Sequence, residues 1–541
     1  MQSETIKRGA LLIVSLLLFL YVLLRLDIGV AFSYRDLLVD ANAYGALQKG
    51  KSPVPDPDPP GIEIDGQALA YDRRSKKFLV SLPEGGTDNP TVHVTSSVFQ
   101  NYELAVRGDL FGENPDIGAR LMLYNDREYK EFHIESTPLP VLQITVENPV
   151  HPDRPVGQED QKARMILFDN RSGLPQEERM VRAQSYIRLR GDSSLNYPKR
   201  QYRINLREFS VGGAEEPLHL SFLGLRNDDD WILGTPFNDP HKIRSAFAYQ
   251  LWYDTAADNN PYGISTGTQT RFVELFIGGD YRGIYTLMHP VDAKQLALSN
   301  DPREGIDYHY RAIGTEPFDP QDFTDHASLE IRGRFELRDP EPDGSPQQWE
   351  PLVRHMQALT ASKEELALYL DRYTWLPNQI DYYLFTLLLQ ARDNELKNHD
   401  YIAYRETEGH RILEAPWDLD LILGLVWNVN MPMNINAFWG TPGYVVPPRD
   451  SHIQRAIEQE NTEIIRAVQQ RWGDLRADEW SNARLLERID AYERDLFDSG
   501  AVHRDRIRWP YAAYTDSLDS FRSYLLDRID VIDDLIDRLG E

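Results

Sequence analysis

The order of residues from 375 to 424 constrains this chain more than any other feature. "WLPNQIDYYLFTLLLQAR" places Ile380, Tyr383, Leu384, Leu387, Leu388 and Ala391 at helical spacing and is apolar enough to be buried. It runs into "DNELKNHD", after which a strand "YIAYR", a turn "ETEGH" and a strand "RILEA" predict a hairpin that ends in "PWDLDLILG". There two carboxylates, Asp418 and Asp420, interrupt an apolar run. Isolated negative charge is costly to bury unless something pairs with it. The two alternate with Leu419, so on a strand both carboxylates point the same way and repel unless a cation sits between them. The structural alternative is a pair of capping or salt-bridge carboxylates, facing Arg190 or Arg203.

The rest of the chain sets bounds on this segment. At 541 residues it exceeds what one hydrophobic core usually serves, which predicts two or more structural units. A net charge of −27 argues against nucleic-acid binding through charge. The absence of cysteine excludes disulfides, thiolate metal sites and a cysteine nucleophile. The 13 histidines show no H-x-x-x-H spacing of the zinc-site kind.

Composition shifts divide the chain. Lys7 and Arg8 precede a 16-residue uncharged run, Gly9–Leu24, which Arg25 can extend through Phe32 by snorkelling. Residues 1–32 are thus expected to form an uncleaved single-pass membrane anchor, with a cleaved signal peptide as the competing reading. The flanking charge would leave the large domain extracytoplasmic. Residues 33–61 end in the Pro-rich spacer "KGKSPVPDPDPPG", and 62–139 read as a small accessory β domain. Residues 140–450 hold the chemistry, with 290–350 read as loops and insertions. Residues 451–541 form an amphipathic helical extension. In "NDPHKIRSAFAYQLWYD", Asp239 is expected to cap a helix with Pro240 at its first position.

Buried helix, Asp-bearing loop, hairpin and acidic pair follow one another as in the catalytic half of a protein kinase. Asp393 and Asn398 have its D-x-x-x-x-N spacing, and Asp418 and Asp420 arrive at the end of the hairpin. Upstream, strands, one helix and a second hairpin, "RFVELFIGGDYRGIYTLMH", match a kinase N-lobe, with "TLMHPVD" as the hinge. Phosphoryl transfer needs hard oxygen ligands for Mg²⁺, a carboxylate to accept a hydroxyl proton, and basic groups on the phosphates. "RLRGDSSLNYPKRQYRINL" offers Arg190, Lys199, Arg200 and Arg203 together with Gly191, Ser193 and Ser194.

Five blocks in order carry a family resemblance: "YIRLRGDSSLNYPKRQYRINL", "DDDWILGTPFNDPHKIRSAFAYQL", "VELFIGGDYRGIYTL", "ARDNELKNHDYIAY" and "PWDLDLILG". Together they resemble the CotH family, the spore-coat-H-type atypical protein kinases, over about 140–535. The resemblance implies a divergent bilobal kinase-like α+β fold with a helical C-terminal region. It also implies ATP with Mg²⁺ or Mn²⁺ and phosphorylation of Ser/Thr in a protein substrate. By position it implies Asp393 as the catalytic Asp, and Asn398, Asp418 and Asp420 as metal-side residues. The segment with Arg190, Gly191, Ser193, Ser194, Lys199, Arg200 and Arg203 would be the phosphate clamp. Asn205 stands where relatives often have Lys, which leaves Lys199, Arg200 and Arg203 as the candidate clamping bases, and His289-Pro290 stands at the hinge. The alternatives on the same site are nucleotidyl transfer, small-molecule phosphorylation, or a silent surface or coat-assembly protein.

Overall fold

The computed structural model describes residues 30–540 apart from 57, 84–89, 96–101, 112–117, 192, 211–212, 302, 304, 315–333, 392 and 426–450. The chain divides into two compact units: Met1–Val156, Gln161–Ser185 and Val273–Gly283 in the first, Gly157–Asp160, Tyr186–Phe272 and Ile284–Glu541 in the second.

The first unit is built mainly from β strands, with a helix at Ala41–Gln48. Val30–Ser33 pairs antiparallel with Thr91–Val94, whose strand also pairs with Gly61–Ile64. A second sheet centres on Glu128–Thr137, flanked by Gly118–Tyr124 and Lys77–Ser81. Tyr34, Ile62, Phe78, Val106, Leu121, Phe132 and Ile134 are buried in one core.

A further sheet runs through strands β1 (Val141–Val146), β2 (Gln161–Phe168), β3 (Met180–Arg190), β4 (Gln201–Phe209), β5 (Asp230–Gly234), β6 (Thr270–Ile277) and β7 (Asp280–Met288). Their order is β3-β2-β1-β6-β7-β5-β4, and an additional β3–β4 pairing closes these seven strands into a barrel. Alternation makes such strands two-faced: along β4, Tyr202, Ile204 and Leu206 are buried while Arg203 and Asn205 between them are half-buried. Closure removes the unpaired edges that an open sheet would carry.

Within the second unit, helix α1 (Arg244–Thr255) begins four residues later than Pro240, because Asp239 accepts from the backbone N–H of both His241 and Arg244 and holds the intervening turn. Strands β8 (Tyr308–Ala312) and β9 (Phe335–Asp339) lie in the stretch read as loops. They join the hairpin β10 (His399–Glu406) and β11 (Gly409–Pro416) in a four-stranded sheet, order β9-β8-β10-β11. Helix α2 (Glu350–Ala358) buries Leu352 and Met356 in a core shared with Tyr310, Tyr401 and Ile412. Helix α3 (Leu376–Leu389) has Pro377 in its first turn and ends on Gln390 at φ 51°, a left-handed cap. Helices α4 (His452–Glu458), α5 (Ala501–Arg508) and α6 (Asp519–Asp537) belong to the helical tail.

Two expectations are corrected here. The bilobal kinase-like α+β fold gives way to a largely β-rich chain with a closed seven-stranded barrel and several further sheets, because sequentially remote strands pair, as β1 does in parallel with β6. The single-pass membrane anchor is not supported either. Among the described residues no helix is long and apolar enough to cross a membrane, and the run Gly9–Leu24 lies outside those residues. The end of the expected anchor is a strand instead: Val30–Ser33 pairs in the first unit, and Phe32 packs against its core.

Candidate active site

The hairpin β10–β11 positions the acidic residues of the second unit. Its ladder ends at His399 opposite Pro416. Beyond that point the two chain ends stay tied: Trp417 N–H donates to the Asn398 carbonyl (3.0 Å), and Asn394 Nδ2 donates to the carbonyls of Asn398 (2.7 Å) and Trp417 (2.6 Å). Asn398 and Asp418 both have positive φ, 55° and 57°. This corrects the strand reading of "DLD". Asp418 leaves the strand in a left-handed conformation, and Leu419 and Asp420 form a turn. The following loop is pinned from behind, since Leu423 N–H donates to the Leu389 carbonyl (2.7 Å) and Arg244 Nε to the Ile422 carbonyl (3.0 Å).

This framework brings together Asp393, Asn398, Asp418 and Asp420. Asn398 Nδ2 donates to Asp418 Oδ2 at 3.3 Å, and the Asp418 N–H donates to the Tyr249 hydroxyl at 2.9 Å. Asp393 starts the short helix Asp393–Leu396 and pairs with Lys397 at 3.1 Å. The Asp418 carboxylate reaches solvent, yet the protein crowded around it and the charge of Asp393 raise its pKa against the pull of Arg190. Asp420 is raised well above the usual carboxylate range, by desolvation first and then by the charges of Asp418 and Asp393. Asp418 and Asp420, both pushed toward protonation beside Asp393, form an acid-rich site that Arg190 and Lys397 offset only in part and that a divalent cation with a taste for hard oxygen would neutralise.

Beside the acids lies a cavity of about 360 Å³ whose lining includes Arg188, Arg190, Arg203, Lys294, Arg311 and Trp417, with Pro290 and Val291 of the expected hinge. Arg190 donates from Nη1 to Gln201 Oε1 (3.0 Å) and lies 5.4 Å from the centre of the Trp417 ring. Burial lowers its pKa, and the nearby Asp418 opposes that. Arg203 pairs with Asp230 through Nε (2.9 Å) and Nη2. Gly191 has φ 105°, and a Cβ there would lie 2.0 Å from Ser194 Oγ, so the turn after β3 needs glycine. The side chain of Ser193 lies outside the described residues.

Two of the proposed clamping bases are absent from the cavity wall. Lys199 is buried, donating to Asp505 Oδ1 (2.6 Å) and to the Ile284 carbonyl (2.7 Å). Arg200 offers its backbone carbonyl to the Tyr285 hydroxyl (2.9 Å). The model of the CotH kinase protein family matches residues 187–532, well over half of the chain. This chain belongs to the CotH kinase family. A comparison with curated proteins returned no match. The CotH match spans every residue proposed for the site, from Arg190 to Asp420, and the membership makes this a chain of kinase-like enzyme type. Kinases in general use ATP with a divalent metal.

Three residues beside the acids and the cavity were not expected from the sequence. Lys397 was legible as the i+4 partner of Asp393 on a helical turn. Tyr249 faces Asp418 from α1, and no local signal announces that. Arg311 stacks over Trp417 at 4.4 Å while binding Asp400 through Nε and Nη2, both at 2.6 Å. Burial alone would raise the Asp400 pKa, but Arg311 and His309 hold it well below the usual carboxylate range. Arg311 was hidden because Pro- and Asp-rich flanks mask its short strand.

Proposed function

We propose that this CotH-family chain transfers the γ-phosphoryl group of ATP to a serine or threonine hydroxyl of a protein. The observation that carries the reading is the meeting of Asp393, Asn398, Asp418 and Asp420 at one end of a hairpin, where the neighbouring acids raise the proton affinity of Asp418 and Asp420. Asp418, Asp420 and the amide oxygen of Asn398 would hold Mg²⁺ or Mn²⁺, an all-oxygen set of the kind those ions take. When bound, that cation neutralises triphosphate charge and favours displacement at the terminal phosphorus.

The chain's own groups do the rest. Asp393 orients the acceptor hydroxyl and takes its proton on a carboxylate oxygen as the new O–P bond forms and the bond to the β-phosphate oxygen breaks. Lys397 holds the Asp393 side chain in place. Arg190 and Arg203 bind phosphate oxygens from the cavity wall. The turn at Gly191 lets backbone approach them closely, with Ser194 folded over it. Lys199 has no part in the clamp, because Asp505 and the Ile284 carbonyl occupy its ammonium. The net negative surface, −27 overall, favours a protein acceptor over nucleic acid.

The full chain incubated with Mg²⁺ or Mn²⁺, a protein acceptor and ATP labelled on the γ- or the α-phosphate tests this. Incorporation of γ label into Ser/Thr, abolished by Asp418→Ala, is the expected result. Incorporation of α label makes the enzyme a nucleotidyl transferase, and no metal-dependent ATP binding removes both activities.

A further inference from the structure

We propose that His355, Glu414 and His452 form a buried site for a zinc-class divalent transition metal, separate in chemistry from the all-oxygen acidic cluster. The three come from α2, β11 and α4, all three are buried, and one donor atom from each lies within 4.8 Å of the others. His355 Nε2 stands 3.3 Å from Glu414 Oε1. Two ligands each about 2.0 Å from a tetrahedral metal are separated by about 3.3 Å.

The ring nitrogens are arranged as in a ligand set. His452 Nε2 lies 2.8 Å from the His355 carbonyl, which can only accept, so this nitrogen carries the proton and Nδ1 keeps its lone pair. His355 Nδ1 meets the Tyr369 hydroxyl at 2.6 Å. His452 Nδ1 is buried without a hydrogen-bond partner, and His355 Nε2 stands against the Glu414 carboxylate. Ligating imidazoles are typically fixed in this way through their second nitrogen. Nor does a strong base neutralise the carboxylate. Among the described residues no lysine or arginine pairs with Glu414, and a buried carboxylate needs a cation. His399 Nε2 approaches the other oxygen, Oε2, at 3.3 Å, so a further nitrogen donor stands beside the set.

Imidazole with carboxylate selects zinc, cobalt or nickel over magnesium. A metal here would tie α2 and α4 to the hairpin near its open end, from which Asn398 and Asp418 extend. It would stiffen the support of the acidic cluster without touching it.

Full chain purified without a metal-affinity step and analysed by plasma mass spectrometry should carry about one equivalent of a transition metal. Glu414→Gln and His452→Gln should lose it, and Asp418→Ala should keep it. Chelation should lower the thermal midpoint of the wild type, and Co²⁺ added to the stripped chain should give the visible absorption of a tetrahedral site. The last two measurements need no variant to fold. Metal-free protein that yields no Co²⁺ spectrum and ignores chelators overturns the proposal. Metal retained in both variants overturns it too, by placing the ion elsewhere.

Discussion

Two clusters of charge in the second unit follow opposite rules. Around Lys199 every charge is matched: its ammonium donates to Asp505 and the Ile284 carbonyl, while Asp505 also accepts from the Ile284 N–H (3.0 Å) and the Tyr514 hydroxyl (2.8 Å). Around Asp418 the acids outweigh the nearby bases Arg190 and Lys397: Asp393 raises the cost of ionising Asp418, and both raise that of Asp420. A buried ion pair with all its hydrogen bonds made is finished as a structural device. A cluster of acids that repel one another is unfinished, and its deficit is the size and sign of a missing ligand. The contrast separates structural from functional charge more sharply than residue type does, since the sequence proposes Lys199 and Arg190 for the same role.

The sharpest way to break this contrast is at Asp393. Asp393→Asn removes the proposed proton acceptor and should lower kcat by about 10²–10⁴-fold. It also removes like-charge repulsion, so the thermal midpoint should hold or rise. Kinase assays paired with calorimetry check both halves. A fall in midpoint together with full activity would make Asp393 part of the structural class.

Lys199→Ala should do the reverse. It strands Asp505 in the interior, and breaking a buried pair from one side costs about 3–5 kcal/mol. Urea unfolding should show that loss, while activity per folded molecule stays near that of the wild type. A selective rise in the KM for ATP with unchanged stability would instead return Lys199 to the phosphate clamp.

What was legible in the sequence follows from the range over which each contact acts. The stripe on α3 and the hairpin β10–β11 are local patterns, and they stand where the sequence puts them. Five motif blocks in order carry the CotH family, which the family match bears out. The failures are non-local. Closure of the barrel depends on the parallel pairing of β1 with β6, well over a hundred residues further along the chain, which no window of sequence contains. The partner of Lys199 is 306 residues away. The alternation of Asp418 and Asp420 was misread because a strand pattern carries no sign of a left-handed residue other than glycine, and Asp418 takes φ 57° without one. The site itself was legible in its acids and only partly in its bases, because acids of one sign signal themselves and bases require knowledge of who already holds them.

His241 offers the smallest and most graded test of the closed class. It lies beside Arg244, whose Nη1 is 2.8 Å from His241 Nδ1, and its Nε2 meets Ser520 Oγ at 2.7 Å. Burial first, and then the Arg244 charge, lower its pKa to about 4 from 6.5, with Asp239 opposing. The folded chain therefore holds His241 neutral while the unfolded chain binds a proton below about pH 6.5. Its contribution to stability is complete above that pH and is lost as pH falls from 6.5 toward 4. By linkage the loss amounts to about 3 kcal/mol across that window. Denaturant midpoints at pH 7 and pH 4.5 should fall together with acid in the wild type and fall less in His241→Asn, which has nothing to titrate. Equal slopes in the two proteins would mean that Ser520 and Arg244 accommodate the charged ring. The cluster around Asp239 and Arg244, which fixes the loop behind Asp420, would then be as open to charge as the acidic site it supports.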